Sequence, residues 1–191
     1  DLVAVSSSPS SPSASTSSPP AEYPDALHIS LAAQVIADHV RSTPLFLYYA
    51  IPLVHAPMEA PHDVLMRHHE RLSHIPNHER RVFAAQTVLL DESVEALVNV
   101  LRASALYDNS LVVVASDNGG NPTADGAASN WPLRGMKGYY FEGGVRCHGV
   151  VHSPLLGEKA TGSEFSGLMS VADWMPTLVG GFLDREGALP P

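Results

Sequence analysis

Cysteine, basic residues and long hydrophobic runs are all scarce in this sequence. Its single thiol, Cys147, cannot form an internal disulfide, so cysteine usage does not indicate the redox compartment. Lys and Arg number 11 against 20 Asp and Glu, and the net charge of −9 argues against nucleic acid or an anionic membrane surface as the partner of the whole molecule. No apolar run approaches the roughly 18 to 20 residues of a membrane span. An anionic substrate would therefore need local positive charge, from a metal or from selected Lys and Arg.

The first 22 residues are predicted to lie outside the folded domain. Positions 6–20 are almost wholly Ser and Pro, a composition that has nothing to bury and that favours an extended, solvated backbone. We expect a disordered linker or insertion at 1–22 and a folded domain at 23–191. The N-terminus has no initiating Met and lacks the features of a signal peptide, so we expect the later part of a longer chain.

The remainder alternates between helical and extended patterns. Residues 29–41 carry apolar side chains at the spacing of an amphipathic helix, and 45–50 form a short apolar and aromatic run that suits a strand covered on both faces. Three prolines then predict a loop. A longer helical stripe covers 79–104, and 111–118 begins as a second buried strand. This order predicts an α/β fold.

The stretch 111–118, LVVVASDN, ends in two oxygen-bearing side chains and is followed by two glycines. Ligand sites of open α/β sheets lie just beyond the carboxyl ends of the strands. Asp117 and Asn118 offer hard oxygen ligands that suit Ca²⁺ or Mg²⁺. Asp-Asn-Gly-Gly is also an excellent turn sequence, so the pattern leaves both interpretations open. Because two ligands are too few for Ca²⁺, the other oxygens would have to come from elsewhere.

Two further positions could carry chemistry. His55 follows the first strand and could act as a general acid or donate a hydrogen bond to an anion, or its ring could simply bond a neighbouring carbonyl. Lys137, with Arg134, lies in a glycine-punctuated loop where a cation could meet an anionic group, although both could equally be solvated surface charges.

Zinc and thiol chemistry are disfavoured. His69 and His74 are five residues apart, which separates them by about 140° around a helix, whereas a zinc-protease helix needs a spacing of four. We expect a solvated His-rich surface or loop there. Cys147 has no evident paired base nearby in the sequence.

Four motifs, in order and at sensible spacing, resemble the second half of the catalytic domain of the sulfatases, within the alkaline phosphatase superfamily. The closest likeness is to the arylsulfatase B group, and it extends from Tyr23 to Leu178. It implies a fragment of a large mixed β-sheet flanked by helices. The motifs are HAPMEAP at 55–61, SDNGG at 116–120, NWPLRGMKGYYFEGGVR at 130–146 and VADWMPTL at 171–178.

The resemblance implies a role for each candidate. Asp117 and Asn118 would ligate Ca²⁺. Lys137 would contact the sulfate and the leaving-group side, and His55 would bind sulfate and assist protonation of the leaving group. These roles suit the chemistry, because a cation and a metal neutralise an oxyanion and a histidine can protonate a departing alcohol. Matching stretches also contain charged residues that we assign to structural support: Asp91, Arg134, Glu142 and Arg146.

Part of the family's site is missing. Its nucleophile is a formylglycine made from the Cys of a C-x-P-S-R motif, which does not occur here, and Cys147 is followed by His148-Gly149. The family's early Asp-Asp metal ligands are also missing, so the calcium site is incomplete in this chain, and we expect the fragment to be inactive alone. The alternatives are a pseudoenzyme, an anion- or calcium-binding remnant, or a phosphate or phosphonate ester hydrolase. The resemblance further implies a sulfated small molecule or glycan as substrate of the parent, and the secretory route, extracellular or lysosome-like, as its location.

Overall fold

The computed structural model describes residues 2–6, 24–123 and 127–183. The chain divides into two compact units, residues 1–155 and 156–191. The first unit holds the helices and strands that carry most of the predicted motifs. The second unit holds the VADWMPTL segment.

The first sheet joins the N-terminus to the strand that precedes His55. Strand β1 (Leu2–Ser6) pairs in parallel with β2 (Phe46–Ala50), with Leu2 opposite Phe46. The segment 1–22 that we predicted to be disordered therefore begins with a strand, because LVAVS is a short apolar run whose backbone groups bond those of β2. Residues 7–22 lie outside the described residues, so the domain division stays a prediction.

Strand β2 confirms the extended run predicted at 45–50, but its side chains are not covered on both faces. Phe46 is 49% exposed and Tyr48 is 62% exposed. Successive side chains of a strand point to opposite faces, so Phe46 and Tyr48, which are two residues apart, lie on the same solvent-exposed face.

Two long helices of the first unit pack together. Helix α1 spans Pro24–Ala37 and packs against α4, which spans His78–Ala103. The α1 stripe buries Ala32 and Ile36 as its spacing predicted. The helix ends four residues earlier than we expected. Beyond it, both the N–H and the side-chain hydroxyl of Thr43 donate to the carbonyl of Val40 and close a turn.

Helix α4 confirms the helix predicted at 79–104. It begins after Asn77, whose side chain accepts a hydrogen bond of 2.7 Å from the Arg80 N–H. The apolar stripe predicted for this helix is half-buried. Four residues of α4 are buried, and two of them are polar: Val82, Ala85, Gln86 and Ser93.

The His-rich segment forms two short helices rather than a loop. They are α2 (His62–Arg67) and α3 (His69–Leu72), which bury Val64 and Leu72 against Ala85 of α4. Apolar side chains between the histidines supply this small core.

The second sheet carries the LVVVASDN motif. Strand β3 (Val112–Ala115) pairs antiparallel with β4 (Gly149–His152). A short helix, α5 (Glu142–Val145), precedes β4. The α/β class is confirmed. Within the described ranges the strands form one parallel and one antiparallel pair.

The second unit is described from 156 to 183. Ser170 and Asp173 form a reciprocal capping box at the start of its helical turns, the 3₁₀ turn Val171–Asp173, α6 (Trp174–Pro176) and the wider turn Thr177–Phe182. These helical turns contain the VADWMPTL motif. None of the helices in the described part of the chain combines the length and hydrophobicity that a bilayer crossing requires.

Candidate functional site

His55 and Lys137 meet, although 82 residues separate them in the chain. The Nζ atom of Lys137 lies 2.9 Å from Nε2 of His55. The other ring nitrogen, Nδ1, lies 2.8 Å from the carbonyl oxygen of Ala56. Because a carbonyl oxygen only accepts, Nδ1 carries the ring hydrogen, and Nε2 accepts a hydrogen bond from the ammonium group.

This contact is open to solvent. His55 and Lys137 are both exposed. The two residues lie on loops that follow different elements. His55 comes five residues after β2, and Lys137 lies between β3 and α5. No ion pair joins Lys137 to a carboxylate within the described ranges, and its histidine partner is neutral in this tautomer. The positive charge is therefore available to an incoming anion.

Asn130 ties the Lys137 loop to the end of β3. Its Nδ2 donates to the carbonyl of Gly120 and its Oδ1 accepts from the Gly120 N–H, both at 2.8 Å. Nδ2 also approaches the carbonyl of Gly135 at 3.2 Å. The Lys137 N–H donates to the same Gly120 carbonyl at 3.1 Å. Asn130 lies within the third motif, but the sequence predicts no role for it, since nothing local indicates that its partner is ten residues away.

Glycines allow the backbone segments of the site to come close together. Gly119 donates to the Gly144 carbonyl at 2.9 Å, and a Cβ atom on Gly119 would collide with the Gly143 carbonyl. A Cβ atom on Gly143 would in turn collide with the Gly135 carbonyl. Gly135 also has φ of +89°, a conformation that favours glycine. The segment that contains α5 is thereby held against the loop after β3.

Asp117 and Asn118 lie just past the end of β3, as the motif predicted. The Asp117 side chain is exposed and Asn118 is half-buried. Asn118 uses its Nδ2 to donate to the Gly119 carbonyl at 3.0 Å, and its own carbonyl accepts from the Ser116 hydroxyl at 2.9 Å. This is a local turn whose side-chain oxygens remain available.

These two side chains fit only part of a calcium site. A carboxylate and an amide oxygen are suitable hard ligands, but Ca²⁺ takes about six to eight oxygens. In the described part of the chain, no group of three or more His, Cys, Asp or Glu side chains is arranged to hold a metal ion. The remaining ligands would therefore have to come from other groups.

Cys147 lies near Asp117 and is half-buried. Burial, and then the negative charge of Asp117, raise the pKa of the Cys147 thiol above its ordinary value. A thiol with a raised pKa is a poor nucleophile at neutral pH.

Arg134 and Arg146 make contacts within the segment that leads to α5. The Arg134 guanidinium lies 3.9 Å from the centre of the Phe141 ring, and Arg146 pairs with Glu142 at 3.2 Å. Arg134 also lines an open cavity of about 320 Å³. The cavity lining is Pro122, Arg134, Gly135, Met136, Tyr139 and Phe141.

Two basic side chains of the His-rich segment pair with Glu92 of α4. His68 Nε2 and Arg67 Nη1 each lie 2.8 Å from Glu92 Oε1. The hydrogen bond from Arg67 holds the pKa of Glu92 below its ordinary value against the opposing effect of burial.

Comparison with known proteins supports the motif resemblance. The sulfatase family model matches residues 3–182. Arylsulfatase J of Mus musculus is 43% identical over 157 residues, which cover 82% of this chain and 25% of that protein. A sulfatase of Formosa agariphila is 31% identical over 135 residues, which cover 66% of this chain and 24% of that protein.

A solved structure agrees with these relatives. The crystal structure of Ps i-CgsB superposes with a TM-score of 0.76 at 29% identity, covering 89% of this chain and 35% of that one. The chain thus spans about a quarter of the length of the curated relatives that it matches. Because the family model covers nearly all of the sequence, this chain belongs to the sulfatase family.

Proposed function

We propose that this chain forms part of the active site of a sulfuric ester hydrolase and binds the sulfate group of its substrate. The observation that carries the proposal is the 2.9 Å contact between Lys137 Nζ and His55 Nε2. Two side chains that are far apart in sequence converge at an exposed point, with a positive charge that no described carboxylate neutralises.

Lys137 would bind the sulfate. A sulfate oxygen that approaches the ammonium group replaces a neutral acceptor, the His55 ring, with an anionic one, and charge-assisted hydrogen bonds are the stronger kind. The same positive charge would stabilise the negative charge that develops on the ester as the bond to the leaving oxygen breaks.

His55 would supply a proton to the leaving alcohol. Its Nδ1 already donates to the Ala56 carbonyl, so Nε2 is the nitrogen that can exchange a proton with a bound ester. Once the sulfate replaces the ring as the acceptor of the Lys137 ammonium, Nε2 can take up a proton from solvent. That proton passes to the alcohol oxygen as its bond to sulfur breaks, which leaves a neutral alcohol and a neutral imidazole.

Asp117 and Asn118 would hold Ca²⁺ with additional oxygens from outside this set. When bound, the ion supplies Lewis-acid stabilisation of the sulfate oxygens. The formylglycine expected in the parent is made from the Cys of a C-x-P-S-R motif, and these 191 residues contain no such motif. We therefore predict that the chain alone does not hydrolyse sulfate esters. Absence of 4-nitrophenol release from 4-nitrophenyl sulfate is the expected result, and turnover that Lys137→Ala abolishes would contradict it.

We further propose an arylsulfatase B-like parent that acts on a sulfated small molecule or glycan in the secretory route. The motif likeness and the identity to arylsulfatase J support this. A non-catalytic anion- or calcium-binding remnant is the second candidate, favoured by the missing nucleophile motif. A phosphate or phosphonate ester hydrolase has less support, because its zinc-dependent members need additional His and Asp ligands, and no such set occurs beside Asp117 within the described ranges.

Sulfate binding tests the proposal directly. The sequence has only two lysines, which makes Lys159→Ala, an exposed position in the second unit, the matched control for Lys137→Ala. In calorimetric titrations at constant ionic strength, we expect wild type and Lys159→Ala to bind sulfate alike. Lys137→Ala should bind at least about tenfold more weakly, which corresponds to about 1.4 kcal/mol. Equal affinity in Lys137→Ala would overturn the proposed role, and a preference for phosphate would favour the phosphate-ester alternative.

A further inference from the structure

Gln86 is a polar side chain in the interior of the first unit. It lies on α4 and is 1% exposed. A buried amide must find hydrogen-bond partners, because it has lost those that water offers. Its partners lie not on a neighbouring helix but in the segment that carries His55.

The Gln86 amide nitrogen reaches three carbonyls of that segment. Nε2 lies 3.3 Å from the carbonyl oxygen of His55, 3.3 Å from that of Pro57 and 2.9 Å from that of Glu59. An amide NH₂ has two hydrogens, so three acceptors share them. One side chain therefore gathers alternate carbonyls over five residues.

The segment that carries His55 needs a hydrogen-bond donor from outside itself. Prolines at 52, 57 and 61 have no N–H to donate, and they prevent a regular helix that would satisfy the carbonyls internally. The Glu59 N–H donates to the Pro57 carbonyl at 2.9 Å, which is a local turn. Gln86 joins this turn to the rigid helix.

The other end of the amide indicates what Gln86 contributes. Its Oε1 is buried and has no hydrogen-bond partner in the described part of the chain. A buried acceptor without a partner lowers stability, and a Met side chain of similar length would not have this disadvantage. The benefit of glutamine at this position therefore lies in its donor nitrogen.

We infer that Gln86 is a positioning residue that orients His55 toward Lys137 by binding the carbonyls of His55, Pro57 and Glu59. It acts through the backbone, because the imidazole is fixed by its bond from Nδ1 to the next carbonyl, that of Ala56. The inference rests on the proposed function of His55 and Lys137 for its catalytic meaning.

The test compares Gln86→Met with Ser93→Ala. Gln86→Met keeps the length of the side chain and removes the donor. Ser93 is also 1% exposed on α4, but its hydroxyl donates within the helix to the Leu89 carbonyl, so Ser93→Ala controls for the loss of a buried polar group. Imidazole ¹⁵N spectra report the His55 tautomer, with His55→Gln used to assign its signals, and sulfate titrations report the affinity.

In wild type and Ser93→Ala, we expect the hydrogen of His55 on Nδ1 and the same sulfate affinity. In Gln86→Met, we expect averaged tautomer signals and sulfate binding about tenfold weaker, with the fold retained by circular dichroism. An unchanged tautomer and affinity in Gln86→Met would overturn the inference. If Gln86→Met does not fold, Gln86→Asn is measured in the same way, because its shorter amide cannot reach all three carbonyls, and unchanged signals there would also overturn it.

Failure of the proposed function would look different. If wild type does not bind sulfate, the role of Lys137 and His55 fails, whereas the tautomer comparison needs no sulfate and still decides whether Gln86 orients the ring. If wild type binds sulfate and the Gln86 variants match it in both measurements, only the positioning role fails.

Discussion

Asn130 and Gly120 exchange two hydrogen bonds of 2.8 Å, so that one side chain replaces the backbone partners that a strand would have supplied. This exchange joins two positions that are ten residues apart in the chain, and the Gly120 carbonyl also accepts a hydrogen bond from the Lys137 N–H. The Asn130 side chain thus helps to hold the loop that carries Lys137 in position.

Changing Asn130 to Asp should loosen this loop. The carboxylate still accepts from the Gly120 N–H but no longer donates, and it faces the Gly120 carbonyl with a negative charge. We expect the free energy of unfolding to fall by about 1–3 kcal/mol and sulfate affinity to fall with it. Urea denaturation and calorimetry measure the two effects. The control is Asn109→Asp, at an exposed position, which should change neither stability nor sulfate affinity. Equal effects of the two variants would contradict the role of Asn130.

Gly119 should not tolerate a side chain. A Cβ atom there collides with the carbonyl of Gly143, which is backbone and cannot rotate away. We expect Gly119→Ala to lower the free energy of unfolding by about 1–3 kcal/mol, as overpacking does. Gly157→Ala is the control, because a Cβ atom at Gly157 meets nothing within 4 Å. Thermal unfolding that affects both variants equally would argue against the close approach of the two glycine segments.

Calcium should bind this chain weakly and through Asp117. With two oxygens here out of about six to eight, we expect a dissociation constant on the order of 1 mM or weaker. Asp117→Asn should abolish the shifts that Ca²⁺ causes in the backbone amide signals of Gly119 and Gly120. Asp108→Asn, an exposed aspartate before β3, is expected to respond like wild type. Shifts that survive Asp117→Asn would place the ion elsewhere.

Glu92 should make stability depend on acid pH. The hydrogen bond from Arg67 lowers the pKa of Glu92 in the folded state, so its stabilising effect is present above the unfolded-state pKa and is lost as the pH falls through the folded-state pKa. We expect Glu92→Gln to be less stable than wild type at pH 7 and the difference to shrink on acidification below the ordinary glutamate range. Glu95→Gln, exposed on the same helix, is the control. If the difference in stability between Glu92→Gln and wild type stays constant with pH, the pairing of Glu92 with Arg67 does not make stability depend on pH.

Local patterns predicted much of the first unit. The spacing of apolar residues predicted α4 within one residue at each end, and the run before Asp117 predicted β3, because both signals arise within one element. Strand β1 was missed, since five residues next to a Ser/Pro stretch have no periodicity of their own and gain order only from β2. The short helices α2 and α3 were missed for a similar reason, because their burial depends on α4.

Motif and spacing likewise determined the family and the four candidate residues His55, Lys137, Asp117 and Asn118. Their arrangement depends on contacts that no local pattern encodes. Lys137 meets His55 across 82 residues, and Gln86 reaches its three carbonyls across 27 to 31. Hydrogen-bond partners at such separations are chosen when the chain packs, because burial removes water and leaves each amide and carbonyl only the groups that the fold has brought within about 3 Å.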